Sequence, residues 1–152
     1  MTQYTIRQMN REDASSLASL DKLCFSVPWS EKSFCEEAEN EKAVYYVAED
    51  NGEIIGYIGF WNIIDEGHIT NIAVHPDYRR RKIASALLEM AARTAIKNKL
   101  VLLTLEVRNS NTAAQGLYKS FGFSEVGKRR GYYREPVEDA VIMTLMMGEN
   151  EE

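Results

Sequence analysis

The chain has 152 residues, 45% of them hydrophobic, and a net charge of −5, which are the size and composition of one globular domain. The acidic balance argues against nucleic acid as a direct partner, because phosphate backbones require a basic face, and it tolerates a basic peptide as substrate. No apolar run approaches the roughly 20 residues that cross a bilayer, and the N-terminus lacks a secretory apolar segment. We therefore expect a cytoplasmic protein with no membrane partner.

The first half of the chain predicts strands and two helices. Asn10 is a cap for a helix with an apolar stripe, and Ser30 is a cap for a second, shorter helix. Asn51 and Gly52 predict a hairpin turn, because they supply the positive φ angles that tight turns need. The predicted strands cover residues 4–9, 43–49, 53–61 and 67–74.

The second half predicts an alternation of helices and strands. Residues 100–107 form a nearly continuous apolar run, which is typical of a strand buried on both faces. The other predicted elements are helices after residue 82 and at 111–121, and antiparallel strands at 123–128 and 138–146. The order β-α-α-β-β-β-α-β-α-β-β indicates a mixed α/β fold, with a single domain at residues 1–147 and an acidic tail at 148–152.

Residues 71–88 are the most informative stretch, because a strand, a basic turn and a helix N-terminus follow one another there. Free backbone N–H groups and the positive end of the helix dipole point at one spot. The cations of the turn are Arg79, Arg80, Arg81 and Lys82. The pattern predicts an anion site, with a pyrophosphate as its ligand.

Together with the element order, this turn resembles the GCN5-related N-acetyltransferases (GNAT). Their signature, Gln/Arg-x-x-Gly-x-Gly/Ala, is matched here by Arg79 and Ala84, whereas Lys82 stands at the first glycine. The motifs PWSEKSF, NIAVHPDYRR, LEVRNSN, LYKSFGF and RRGYY resemble the RimI-type branch, which acetylates the N-terminal alanine of a small-subunit ribosomal protein. The resemblance implies the GNAT fold, a protein N-terminus as partner, and a monomer or weak dimer.

The resemblance also implies acetyl-CoA as cosubstrate, bound without a metal. Main-chain groups of the fourth strand would pair with its pantetheine arm, and the Val74 N–H would polarise the thioester carbonyl. Because a side chain at positive φ is costly, we predict a negative φ for Lys82. The implied cofactor residues are Ile72, Ala73, Val74, Arg79, Arg80, Arg81, Lys82, Ile83, Ala84, Ser85 and Asn111.

Two side chains are implied as catalytic. Glu106 closes an apolar run, so we expect desolvation to raise its pKa and suit it to act as general base. An ordinary ion pair between Glu106 and Arg108 is the alternative. Tyr118 is implied as the general acid that protonates the leaving thiolate, although its helical spacing also fits core packing. His68 is a rival base, because imidazole titrates near neutral pH.

Aromatic residues in two of the motifs predict a slot for a peptide N-terminus. The substrate residues that the resemblance implies are Trp29, Tyr132 and Tyr133, whereas Phe34 fits the core equally well. An acidic patch at residues 36–41 either steers a basic substrate or is a solvated helix face. Cys24 and Cys35 are expected to be reduced, partly buried thiols.

Three functions remain open at this point. The first is acetylation of a ribosomal-protein N-terminal alanine. The second is acetylation of another amine, in a small molecule, a lysine or other protein N-termini. The third is a non-catalytic acyl-CoA-binding module, in which Lys82 has altered the anion site.

Overall fold

The computed structural model describes residues 4–79 and 81–148. The strands are Thr5–Gln8 (β1), Ala43–Asp50 (β2), Glu53–Ile63 (β3), Glu66–Val74 (β4), Leu102–Arg108 (β5), Ser124–Arg134 (β6) and Val137–Met146 (β7). The helices are Ala14–Cys24 (α1), Glu31–Glu39 (α2), Ile83–Lys97 (α3) and Thr112–Phe121 (α4). The elements follow the predicted order, and a seven-stranded mixed sheet, β1-β2-β3-β4-β5-β7-β6, confirms the α/β fold class.

The described residues divide into two compact units. The first unit falls within Met1–Trp61 and Thr70–Ala91, and the second within Asn62–Ile69 and Ala92–Glu152. Strand β4 and helix α3 each contribute residues to both units. Of the predicted acidic tail at residues 148–152, residues 149–152 lie outside the described residues.

In the first unit, helices α1 and α2 cover antiparallel strands. Leu17, Phe34 and Tyr57 are fully buried together, and the rings of Phe34 and Tyr57 meet edge to face at 5.5 Å. Phe34 is therefore a core residue. The predicted hairpin between β2 and β3 is confirmed, because Asn51 and Gly52 both have positive φ, at 52° and 81°.

In the second unit, β5 pairs in parallel with β4 and antiparallel with β7. The prediction that residues 100–107 are buried on both faces is wrong in part. Burial alternates along β5, which begins at Leu102: Leu103, Leu105 and Val107 are buried, whereas the residues between them are only half-buried. The half-buried face of the strand carries Glu106.

Strand β6 is longer than the sequence predicts. It runs to Arg134, well past the predicted end at residue 128, and includes Tyr132 and Tyr133. Two register shifts along its pairing with β7, after Glu125 and after Arg129, interrupt the alternation that a strand prediction depends on. None of the helices among the described residues is long and apolar enough to span a membrane.

Candidate active site

The segment between β4 and the basic turn is held in shape by hydrogen bonds of His75. His75 follows β4, and its N–H donates to the Ile55 carbonyl at 2.8 Å. Its ring caps the short 3-10 turn Pro76–Tyr78, because Nδ1 accepts from the Asp77 N–H at 3.0 Å. His75 is therefore a turn residue.

Helix α3 starts directly after the basic turn, at Ile83. Its first intrahelical bond runs from the Ala86 N–H to the Lys82 carbonyl, at 3.1 Å. The three preceding N–H groups, on Ile83, Ala84 and Ser85, lie ahead of the helix's own hydrogen-bond ladder. Such groups, together with the helix dipole, bind anions.

The predicted negative φ of Lys82 is wrong, since its φ is +61°. The backbone is left-handed at the position where the family signature has glycine, although this conformation costs a side-chain-bearing residue about 1–2 kcal/mol. The turn before Lys82 and the buried Ile83 after it fix the chain direction, while the Lys82 side chain is exposed. The substitution therefore keeps the glycine-type backbone, which is the geometry that suits a pyrophosphate.

The cations of the turn do not act alike. Arg79 bends back towards β4, where its Nε donates to the Val74 carbonyl at 3.3 Å and its guanidinium lies 3.9 Å from Cys24 Sγ. The guanidinium of Arg81 lies 5.2 Å from the centre of the Tyr78 ring. Arg80 lies outside the described residues.

The end of β4 is a packed part of the first unit. Ala73 and Val74 are buried and Ile72 is half-buried. Gly56 allows this packing, because a Cβ there would come within 3.0 Å of the Ala73 carbonyl. The Val74 carbonyl also accepts a weak bond from the Cys24 thiol at 3.5 Å, and both Cys24 and Cys35 are free, half-buried thiols as predicted.

The proton-transfer candidates are in the second unit. His68 pairs with Thr104 in the β4/β5 register, and Glu106 lies two residues further along β5, on the same face. The His68 Nε2–H accordingly donates to Glu106 Oε1 at 2.8 Å. Arg129, from β6, places its Nε 3.4 Å from the other carboxylate oxygen. The two predicted bases therefore form one hydrogen-bonded pair.

The predicted rise in the pKa of Glu106 is wrong. The hydrogen bond from His68 lowers its pKa, with the Arg129 charge adding to the effect against the opposing desolvation. The alternative ion pair with Arg108 is also absent among the described residues, because Arg108 instead bonds Glu138 at 3.2 Å. The sequence shows the apolar neighbours of Glu106 along β5, whereas its polar partners come from other strands.

Tyr118 lies on α4 and is 6% exposed. Within the part of the chain that the structure describes, its hydroxyl has no hydrogen-bond partner, and burial raises its pKa. It therefore remains protonated at neutral pH. Asn111 caps the same helix, its side chain accepting from the Ala114 N–H at 3.1 Å.

The aromatic pair of β6 is partly open to solvent. The rings of Tyr132 and Tyr133 meet edge to face at 5.0 Å, and the Arg108 guanidinium lies 4.4 Å from the centre of the Tyr133 ring. Burial raises the pKa of Tyr133 to about 12. Gly131, which precedes the pair, has a φ of 60° that glycine adopts readily, and it lies in the register shift between Arg129 and Tyr133.

Trp29 belongs to the first unit and is half-buried against Phe34, at 5.5 Å between ring centres. Its N–H donates to Asp21 at 2.9 Å, and the Tyr57 hydroxyl donates to the same carboxylate at 2.6 Å. Asp21 is fully buried. Sequence reasoning missed it, although a charged residue four positions after Leu17, on the apolar stripe of α1, was the available signal.

Two residues of the acidic patch at 36–41 have side-chain partners. Glu37 accepts from the Trp61 indole N–H at 2.6 Å, and Glu39 pairs with Arg11.

Among residues 4–79 and 81–148, no three His, Cys, Asp or Glu side chains are grouped to hold a metal ion.

Comparison with known proteins places the chain in a family. The acetyltransferase (GNAT) family model matches residues 14–123, so the chain belongs to the GNAT family. It is an acetyl-CoA-dependent N-acetyltransferase. A non-catalytic binding module is thereby set aside.

Individual relatives are similar over nearly their whole length. The chain is 36% identical to the ribosomal protein bS18-alanine N-acetyltransferase of Escherichia coli K12, over 93% of this chain and 96% of that protein. It is 39% identical to a Bacillus subtilis (strain 168) protein that is provisionally named for the same reaction, over 97% and 99%. The crystal structure of the Escherichia coli ribosomal-protein-S18-alanine N-acetyltransferase superposes with a TM-score of 0.90 at 35% identity, covering 99% of this chain and 97% of that one.

Proposed function

We propose that this enzyme acetylates the N-terminal alanine of a small-subunit ribosomal protein in the cytoplasm. The relatives named for this reaction align over more than nine-tenths of the chain, which supports the substrate class. The observation that carries the chemistry is the His68–Glu106 pair, a base that is already assembled in the folded chain. A terminal amine has a pKa near 8, so a modest base is enough to keep it neutral.

For acetyl-CoA, we propose a site made mainly of main-chain groups. The left-handed Lys82 and the helix start at Ile83 form a backbone cradle of the kind that binds pyrophosphate. Arg81 and Lys82 add screened positive charge. The other residues assigned to acetyl-CoA are Ile72, Ala73, Val74, Arg79, Arg80, Ala84, Ser85 and Asn111.

In the proposed reaction, the amine nitrogen attacks the thioester carbonyl carbon directly. A C–N bond forms, the C–S bond breaks, and no covalent enzyme intermediate arises. The Glu106–His68 pair receives the proton that leaves the acceptor ammonium, and the Tyr118 hydroxyl gives a proton to the departing thiolate. As the amide forms, the nitrogen loses a second proton, which restores the Tyr118 hydroxyl. Tyr118 is protonated at neutral pH and has no hydrogen-bond partner for its hydroxyl among the described residues, so its proton is available for donation. The Val74 N–H is assigned to the developing oxyanion.

For the acceptor, we assign Trp29, Tyr132 and Tyr133 as contacts of the peptide N-terminus. All three are aromatic and none is fully buried, so they present apolar surface with a polar tip.

The test is an acetylation assay on a peptide array that varies the first four acceptor residues. We expect transfer to alanine-starting ribosomal peptides and little transfer to polyamines or to internal lysine in blocked peptides. E106Q should lower kcat about 10²-fold or more, whereas E125Q, the same change at an exposed glutamate of β6, is the matched control. Preferred transfer to a polyamine or a lysine side chain would contradict the proposed acceptor.

A further inference from the structure

The His68–Glu106 pair is asymmetric, and the asymmetry bears on which atom accepts the proton. Both oxygens of Glu106 face cations or donors, since Oε1 accepts from His68 at 2.8 Å and Oε2 lies 3.4 Å from Arg129 Nε. The Glu106 side chain is only 10% exposed. A carboxylate stabilised on both oxygens is a poor proton acceptor near neutral pH, and its pKa is lowered accordingly.

His68 has the opposite properties. Its side chain is 29% exposed, more than that of Glu106. Nε2 is engaged with the carboxylate, and Nδ1 has no partner among the residues that the structure describes. A histidine that donates one N–H to a carboxylate carries its lone pair on the other nitrogen, and the carboxylate stabilises the imidazolium that forms on protonation.

We propose that His68 Nδ1 is the atom that takes the proton from the acceptor ammonium, and that Glu106 is the group that orients and stabilises it. The inference rests on the proposed N-acetyltransfer. An N–H bond of the ammonium breaks, an Nδ1–H bond forms, and the amine nitrogen keeps the electron pair with which it attacks the thioester. The imidazolium then passes its proton to water, which accounts for the one proton that the overall reaction releases.

The charged and titratable groups around the pair differ in how they face His68 and Glu106. Arg129 is the nearby cation, and it lies on the side of Glu106 away from His68. Tyr132 and Tyr133 interact electrostatically with Glu106, and both have raised pKa values, so both are neutral. The one negative charge in contact with His68 in the described part of the chain is therefore Glu106.

Two substitutions separate hydrogen bonding from proton acceptance. H68Q keeps an amide donor for the Glu106 carboxylate but has no basic nitrogen, whereas H68A removes both. We expect each to lower kcat about 10²-fold, with little change in the KM for acetyl-CoA. Added imidazole should restore H68A activity at least about tenfold, because it supplies the missing base, and should not restore H68Q, whose side chain fills the position.

The pH profile is the readout that a merely structural role would not move. Wild-type kcat should show an acid limb, where the proton acceptor of the reaction becomes protonated. In H68Q this acid limb should move to lower pH, leaving only the low-pKa carboxylate. H75Q is the matched control, because it changes the chain's other histidine and should leave the position of the acid limb unchanged. Near-wild-type kcat in H68Q with an unmoved limb would overturn the proposal and return the role of base to Glu106.

A spectroscopic measurement does not depend on finding the acceptor. In protein labelled with ¹⁵N-histidine, H75Q isolates the His68 signals, and two-bond ¹H–¹⁵N spectra report which nitrogen carries the proton. We expect the Nε2–H tautomer in otherwise wild-type protein and loss of that preference in the H75Q/E106A double variant. An Nδ1–H tautomer would overturn the inference whatever the substrate proves to be. Failure of every N-terminal peptide to be acetylated, with the Nε2–H tautomer present, would count against the proposed function alone.

Discussion

The loops of the first unit and the strands of the second build their candidate sites in different ways. In the first unit, side chains form hydrogen bonds with nearby backbone groups. Asp21 accepts from the Trp29 N–H, His75 accepts from the Asp77 N–H, and Arg79 donates to the Val74 carbonyl. The partners are between two and eight residues apart in sequence. These bonds fix the backbone close to the bonded side chains.

In the second unit, the side chains of the candidate site interact with other side chains that are distant in sequence. His68 and Glu106 are 38 residues apart, and Arg129 comes from a third strand. Local bonds make a backbone site that a motif can reveal, whereas distant pairs make a site whose electrostatics depend on the register of the sheet. The three predictions below test this difference, beginning with the largest expected effect.

The strongest test of the backbone-holding role is Asp21. In D21A, the Trp29 N–H and the Tyr57 hydroxyl both lose a buried acceptor, so we expect a loss of about 2–4 kcal/mol in the free energy of unfolding. D21N should cost less, because an amide still pairs with both groups. Urea denaturation of the two variants and the wild type measures this. Equal losses in D21A and D21N would show that the charge, and not the hydrogen bonding, matters.

The pH dependence of the same variants has a defined sign. Burial raises the pKa of Asp21 in the folded state. Its contribution to stability is therefore fully present below the usual aspartate pKa of about 4 and declines as the pH rises through the folded-state pKa. We expect the advantage of wild type over D21N to shrink between acid and neutral pH, and a growing advantage would contradict the assigned shift.

The second prediction concerns Tyr118, whose hydroxyl has no hydrogen-bond partner among the described residues. Y118F should lower kcat about tenfold, since a thiolate with a pKa near 8.5 leaves tolerably well without an acid. The same variant should be as stable as wild type or slightly more stable, because it removes a buried, unpaired hydroxyl. Y4F, near β1, is the matched control for the loss of a tyrosine hydroxyl.

Both measurements are needed for Y118F. A fall in kcat without a fall in Tm places the hydroxyl in the reaction, as the proposal requires. A large fall in Tm would instead mean that the hydroxyl supports the fold, and unchanged kcat would remove Tyr118 from the proposed mechanism.

This contrast also explains what the sequence could predict. The element order, the caps at Ser30 and Asn111, and the Asn51-Gly52 turn follow from patterns a few residues long. The start of helix α3 after the basic turn was predictable for the same reason. The pKa of Glu106 was not, because it is set by His68 and Arg129, which reach Glu106 only through strand pairing.

Lys82 shows where local reasoning fails even within a motif. A preference for negative φ is correct for an isolated lysine, yet Lys82 has a left-handed backbone in the connection between β4 and α3. The family signature, which has glycine at this position, was the better guide to the backbone. The preference of lysine for negative φ was outweighed by the geometry of the connection between β4 and α3.

The smallest predicted effect tests that conclusion directly. K82G should raise the free energy of unfolding by about 0.5–1 kcal/mol, because relief of the left-handed strain exceeds the entropy that glycine adds to the unfolded chain. K82A removes the same charge but keeps the Cβ, so it should not be stabilised. The difference between the two variants, measured by urea denaturation, isolates the backbone from the charge.

Titration with acetyl-CoA extends the comparison: if the site is a backbone cradle, K82G and K82A should bind with similar affinity, each weakened only by the lost charge. Much tighter binding by K82G than by K82A would show that the Lys82 Cβ obstructs the cradle, and that the first unit depends on its side chains as much as the second does.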